Sequence, residues 1–225
     1  EVLGSCQSSG DGLGVGAAGP LYGIDKDQRI MVLEDLSLSP ENLLGNILFG
    51  RDADYAESAL HEFQMTLARM HLATMRREDR FRQILASYDD PTNHSRHRIH
   101  TISDALRSLS DVLQHINVLV EPDAQQDINE AISIIDTPGA LSAFVHGDAT
   151  PANAFYIESR VRLFDLETAG FRHCLLDGSF ARLRYLHSVW ARSIPLDVQK
   201  RLMSTYRDTL LARSSYAVEH RGFNR

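Results

Sequence analysis

His146-Gly147-Asp148-Ala149-Thr150-Pro151-Ala152-Asn153 is followed twelve residues later by Asp165, inside Phe164-Asp165-Leu166-Glu167. Between the two acidic groups, Ala154 to Ile157 and Val161 to Phe164 read as short strands joined by Glu158-Ser159-Arg160, a hairpin-length turn. Such a hairpin folds Asp165 back over the loop that carries Asp148. Phosphoryl transfer from ATP needs a carboxylate to accept the proton of an attacking hydroxyl. It also needs a second carboxylate to hold magnesium, and a neutral oxygen that completes the metal shell without adding repulsion. Asp148, Asp165 and Asn153 are candidates for those three tasks, in that order. The bland alternative is a loop whose short polar side chains cap its own turns.

Asp148 and Asn153 stand five apart, with a further Asp just beyond a hairpin, which is the order and spacing of the kinase catalytic loop. His-Gly-Asp-x4-Asn together with Phe164-Asp165-Leu166-Glu167 resembles the signature of the aminoglycoside phosphotransferase and choline kinase-like family. Met31-Val32-Leu33-Glu34-Asp35-Leu36 resembles that family's hinge, where backbone groups meet adenine. Ala68-Arg69-Met70-His71 and Leu176-Asp177 also fit its layout. The resemblance is strong over about residues 31–36 and 144–190.

It implies an α+β, protein-kinase-like fold, with a partial N-terminal sheet lobe and a mostly helical C-terminal lobe. The implied activity is ATP- and Mg2+-dependent transfer of phosphate to a hydroxyl of a small molecule. Asp148 would be the base, Asn153 and Asp165 magnesium ligands, Glu167 a further or outer ligand, and Glu34, Asp35 and Leu36 the nucleotide-binding hinge. His146 would support the loop. Between Asp and Asn the family commonly carries Leu-His-Pro-Gly, whereas this chain has Ala149-Thr150-Pro151-Ala152.

The front of the chain departs from the family. Of two lysines against twenty-one arginines, Lys26 falls in a turn and Lys200 in a late helix. Neither suits the strand lysine that grips phosphates in this family, and the covering loop before it is absent. Glu1 lies about where the partner glutamate of that lysine would fall. A chain beginning at Glu1 reads as a fragment, a processed product or a mis-set start. The rival reading is therefore a catalytically incompetent, pseudokinase-like binding module, and a weaker one is a metal-dependent hydrolase using the same carboxylates.

Working outward, Pro20 to Ile24 and Arg29 to Leu33 predict two short strands around Asp25-Lys26-Asp27-Gln28. Residues 1–36 thus read as the remnant of a nucleotide-binding lobe and its hinge, and 37–225 as the helical lobe. Ala56, Leu60, Phe63, Leu67 and Met70 recur at steps of four and three, one face of a long helix. Ile102, Leu106, Leu109, Leu113 and Ile116 repeat the rhythm, and Pro122 opens a helix containing Ile128, Ala131, Ile132 and Ile135. Two more helices are expected over roughly 178–193 and 196–212.

The 225 residues, 43% hydrophobic and 24% charged, suit one soluble globular domain with a remnant of another. A net charge of −7 speaks against nucleic acid or an anionic membrane as partner. No run suits a membrane span, so a cytoplasmic protein is expected. Cys6 and Cys174 are too few for a disulfide framework. Gly12-Leu-Gly-Val-Gly16 lacks the preceding strand and closing Lys-Ser/Thr of a phosphate loop and reads as a connector. His94, His97 and His100 read as a solvated helix start, and Glu121, Asp123, Asp127 and Glu130 as a solvated helix face. His71 reads as a buried packing residue with one hydrogen bond.

Overall fold

The computed structural model describes residues 16–25, 27, 28, 30–36, 39–87, 101–182 and 193–212. Its longest element is the predicted long helix. A short helix α1 (Leu44–Leu48) leads into α2 (Ala53–Thr74), capped where the Asp52 carboxylate accepts the Tyr55 N–H at 2.9 Å. The apolar stripe falls where its spacing puts it. Leu60, Phe63, Leu67 and Met70 are buried and Ala56 is half-buried. Each of the larger side chains removed from water stabilises the fold by about 1.5–3 kcal/mol.

Helix α3 (Glu78–Ser87) follows, then α4 (Thr101–His115) and α5 (Pro122–Asp136), the last with its proline in the first turn as expected. Helix α4 packs on α5, and the Asp136 carboxylate ties the pair by accepting from Ser103 at 2.6 Å and from Arg107. Leu106, Leu109 and Leu113 are half-buried, but Ile116 lies past the end of α4 and is exposed. Neither helix sinks into the main core, so their stripes are only partly covered.

The sheet is in three antiparallel pairs. β1 (Leu21–Asp25) pairs with β2 (Ile30–Leu33). β3 (Ser142–Val145) pairs with β6 (Gly170–His173), and β4 (Ala154–Ile157) with β5 (Arg160–Leu163). The β4–β5 turn is two residues, Glu158 and Ser159, both at positive φ, one residue tighter than the sequence suggested. Single bridges from Leu43 to Phe155 and from Ala18 to Leu163 extend that hairpin on both sides. β6 was not foreseen.

Beyond β6 the expected helix over 178–193 is not what the described residues form. A four-residue helix α6 (Leu175–Gly178) and a 3-10 turn at Phe180–Arg182 replace its start, and 183–192 lie outside the described residues. Gly178 is where the two helices meet: a Cβ there would sit 2.4 Å from the Tyr206 ring of α7 (Leu196–Leu211). Helix α7 packs along α2, and Tyr206 needs the space. The core thus joins α2, α7 and the two later strand pairs, with Phe63 and Phe180 edge to face at 4.9 Å. The fold is α+β. Among the described residues no helix is long and apolar enough to cross a membrane.

Candidate active site

The loop after β3 is held by hydrogen bonds to both of its flanks. Strand β3 is buried, so the chain leaves it at His146 with its ring also buried. His146 Nε2 donates to the Phe164 carbonyl at 2.8 Å, which makes Nδ1 the acceptor, and the Asp148 N–H faces it from 3.4 Å. Thr168 Oγ1 donates to the His146 carbonyl at 3.1 Å. Gly147 has φ +85°, and a Cβ there would lie 2.5 Å from the Thr168 carbonyl oxygen, so only glycine fits.

Asp148 is exposed, and Asn153 is buried against it. The Asn153 amide gives both N–H groups to this one residue, to the Asp148 carbonyl at 3.0 Å and to Oδ2 at 2.9 Å. That leaves Asn153 Oδ1 and Asp148 Oδ1 to face an incoming molecule. The Asn153 carbonyl accepts the Phe164 N–H at 3.1 Å, one step beyond the pair Ala154–Leu163. The β4–β5 hairpin therefore sets Asp165 directly after a residue bonded to Asn153. Asp165 is exposed and left-handed, φ 60° and ψ 55°, a conformation aspartate tolerates better than most side chains. Glu167 sits two residues on, exposed, in the 3-10 turn Leu166–Thr168.

The Glu34–Leu36 segment lies beside the same hairpin. The Glu34 N–H donates to the Pro20 carbonyl at 3.1 Å. Arg162 of β5 approaches Glu34 Oε2 at 3.9 Å and donates to the Ala18 carbonyl at 3.5 Å. Leu36 is half-buried, and Asp35 is exposed. The structure thus joins Asn153 to Asp148 directly, sets Asp165 next to Phe164, which bonds Asn153, and brings Glu34 toward Arg162 of the same hairpin. Among the described residues, no three His, Cys, Asp or Glu side chains gather into a metal-holding group, so the acidic candidates form no ready-made cage.

The residue that sequence reading undervalued is Asp177. Its buried carboxylate accepts the His146 N–H at 2.6 Å, the Gly147 N–H at 3.1 Å and His71 Nε2–H at 3.2 Å. Burial by itself pushes this carboxyl up; the His71 ring and the two backbone donors outweigh it and hold it below the usual carboxylate range. His71 makes a second hydrogen bond, 2.8 Å between Nδ1 and the Tyr206 hydroxyl, which reaches on to the Cys174 carbonyl at 3.2 Å. The expectation of one bond is corrected. The signal was an aspartate in the otherwise apolar run Cys174-Leu175-Leu176-Asp177, where burial demands partners.

Arg172 lies nearby with its Nε buried and without a partner among the described residues, its charge disfavoured by burial and only partly restored by Asp177. Lys200 is exposed on α7, whereas Lys26, Glu1, His94, His97, His100 and residues 12–15 of the glycine run lie outside the described residues. No family model matches the sequence, and no curated protein matches it.

Proposed function

We propose that the chain carries the catalytic lobe of a protein-kinase-like phosphotransferase acting on a hydroxyl of a small molecule, with ATP as donor and magnesium as cofactor. The observation that carries the reading is the Asp148–Asn153 clasp set against a hairpin that ends in left-handed Asp165. A turn-capping loop has no need of a left-handed aspartate beside a buried amide whose two donors go to one exposed aspartate, one to its backbone carbonyl and one to its carboxylate. Residues held in sparsely populated conformations cluster at working sites.

In this reading Asn153 fixes Asp148 through Oδ2, and Asp148 Oδ1 accepts the acceptor's proton. The freed oxygen attacks the γ-phosphorus, and the bond to ADP breaks on the opposite side. Asp165, Asn153 and Glu167 would be the oxygen donors that hold magnesium. The donor set suits that ion, which keeps several waters and takes phosphate oxygens with one or two carboxylates, and so does not require a protein cage. Magnesium bound there would neutralise phosphate charge. Glu34, Asp35 and Leu36 would meet the nucleotide base. Asp177 is a positioning residue that aims the loop from beneath.

The test is ADP release by the chain with ATP and magnesium, screened against pooled hydroxyl metabolites. An acceptor-dependent signal is expected, falling by about 10²-fold or more in Asp148→Asn with nucleotide affinity nearly unchanged. Unchanged turnover in that variant would remove Asp148 from the chemistry. Phosphate release without an acceptor would favour the hydrolase reading. No turnover combined with intact nucleotide binding would favour the pseudokinase-like one.

A further inference from the structure

A second site lies on the α2–α7 side of the lobe. A cavity of about 310 Å³ opens between the α1–α2 connection, the first turns of α2 and the start of α7. Its wall is apolar, with Leu48, Ala56, Leu60, Phe180, Ile194 and Val198 contributing, and Pro151 of the Asp148 loop borders it. That volume is at the small end of ligand pockets, enough for a compact apolar body.

Three ionisable side chains line it: Arg51, Asp52 and Glu57. Two are already committed. Asp52 caps α2 through the Tyr55 N–H, and Glu57 is gripped on both oxygens by Arg201, at 2.7 and 3.0 Å. Arg51 is exposed and has no partner among the described residues. Ala53, the first residue of α2, also lines the cavity, so the positive end of a 22-residue helix is turned toward it. Arg51 and the first backbone N–H groups of α2 are the donors left over there, while Glu57 is paired and Asp52 is engaged through one oxygen.

We propose that this cavity binds an apolar-bodied carboxylate of the medium-chain fatty-acid type, its tail along Leu60, Phe180 and Val198 and its head at Arg51 and the start of α2. The site is independent of the phosphotransfer reading, and no nucleotide or magnesium is needed to occupy it.

Calorimetric titration of the 225-residue chain with hexanoate, octanoate and octanol tests it. One molecule of octanoate should bind per chain, and each added methylene should tighten binding about fourfold. Octanol should bind at least about tenfold more weakly than octanoate, because it leaves Arg51 unpaired. Arg51→Glu, an exposed change that leaves the core intact, should erase that preference. Ala56→Phe and Val198→Phe should each abolish binding by filling the cavity, and Asp165→Ala should leave it unchanged. Octanoate affinity that survives Arg51→Glu would overturn the head-group assignment. Affinity that survives either filling variant in a folded chain, or equal affinity for octanol, would overturn the site.

Discussion

Gly147 and Asp177 are the residues on which the loop's shape rests. Glycine is required at 147 by both its φ and the Thr168 carbonyl against it, and Asp177 ties the two backbone N–H groups leading into that bend. Asp177 titrates below its ordinary value in the folded chain. Its contribution to stability is therefore complete above the unfolded value, about pH 4, and is lost as the pH falls through the folded value. Asp177→Asn should cost about 3–5 kcal/mol at neutral pH, since it removes one member of a buried charged cluster. It should also flatten the acid limb of the stability profile. Urea unfolding of both proteins between about pH 3 and 7 checks this. Equal slopes below pH 4 would show that the carboxylate is not the titrating group. At this scale the sequence was a partial guide. The Asp148–Asn153 contact and the hairpin leading to Asp165 were legible from spacing, whereas Asp177 and His71 meet across 106 residues of chain.

Among the elements, α2 was legible because its stripe faces a core on one side only, so burial and periodicity agree. The segment after β6 was not, because its short helix and 3-10 turn are set by packing against α2 and α7, as at Phe180 on Phe63 and Gly178 on Tyr206. The β4–β5 hairpin was legible through its strands, but its turn was misplaced by one residue, since Glu158 and Ser159 are unusual occupants of two left-handed positions. Helix α2 also carries an internal misfit. Gln64 is buried with neither its Oε1 nor its Nε2 hydrogen-bonded among the described residues. A buried amide without partners forfeits about 1–3 kcal/mol of solvation. Gln64→Met, of similar length and shape, should therefore raise stability by about 1–2 kcal/mol, a Tm increase of roughly 2–8 °C. Differential scanning calorimetry measures it, and a lowered Tm would mean that the amide serves a buried water or a second shell of contacts.

Across the molecule, apolar exposure is uneven. Leu21, Tyr22, Ile24, Ile30, Met31, Val32 and Leu33 are all exposed, on both faces of the β1–β2 hairpin. A lone two-stranded hairpin is marginal in water, and an apolar patch of this kind drives association. Concentration-dependent self-association of residues 1–225 is expected in analytical ultracentrifugation, weakened by Met31→Lys with Val32→Lys. A monomer at all concentrations would contradict it. The fold class was legible from the mix of periods, but this imbalance was not, because exposure of the β1–β2 hairpin depends on what packs against its faces rather than on its own pattern.

The phosphotransferase reading stands on Asp165 as a magnesium ligand shared with a nucleotide. Calorimetric titration with ATP, with and without magnesium, in the wild type and in Asp165→Ala measures that directly. Magnesium should tighten ATP binding in the wild type by a factor in the range of roughly 5–150, the usual span of coupling between two ligands. Asp165→Ala should bind ATP alone about as well and gain little from the metal. The same magnesium dependence in both proteins, or none in the wild type, would contradict the assignment.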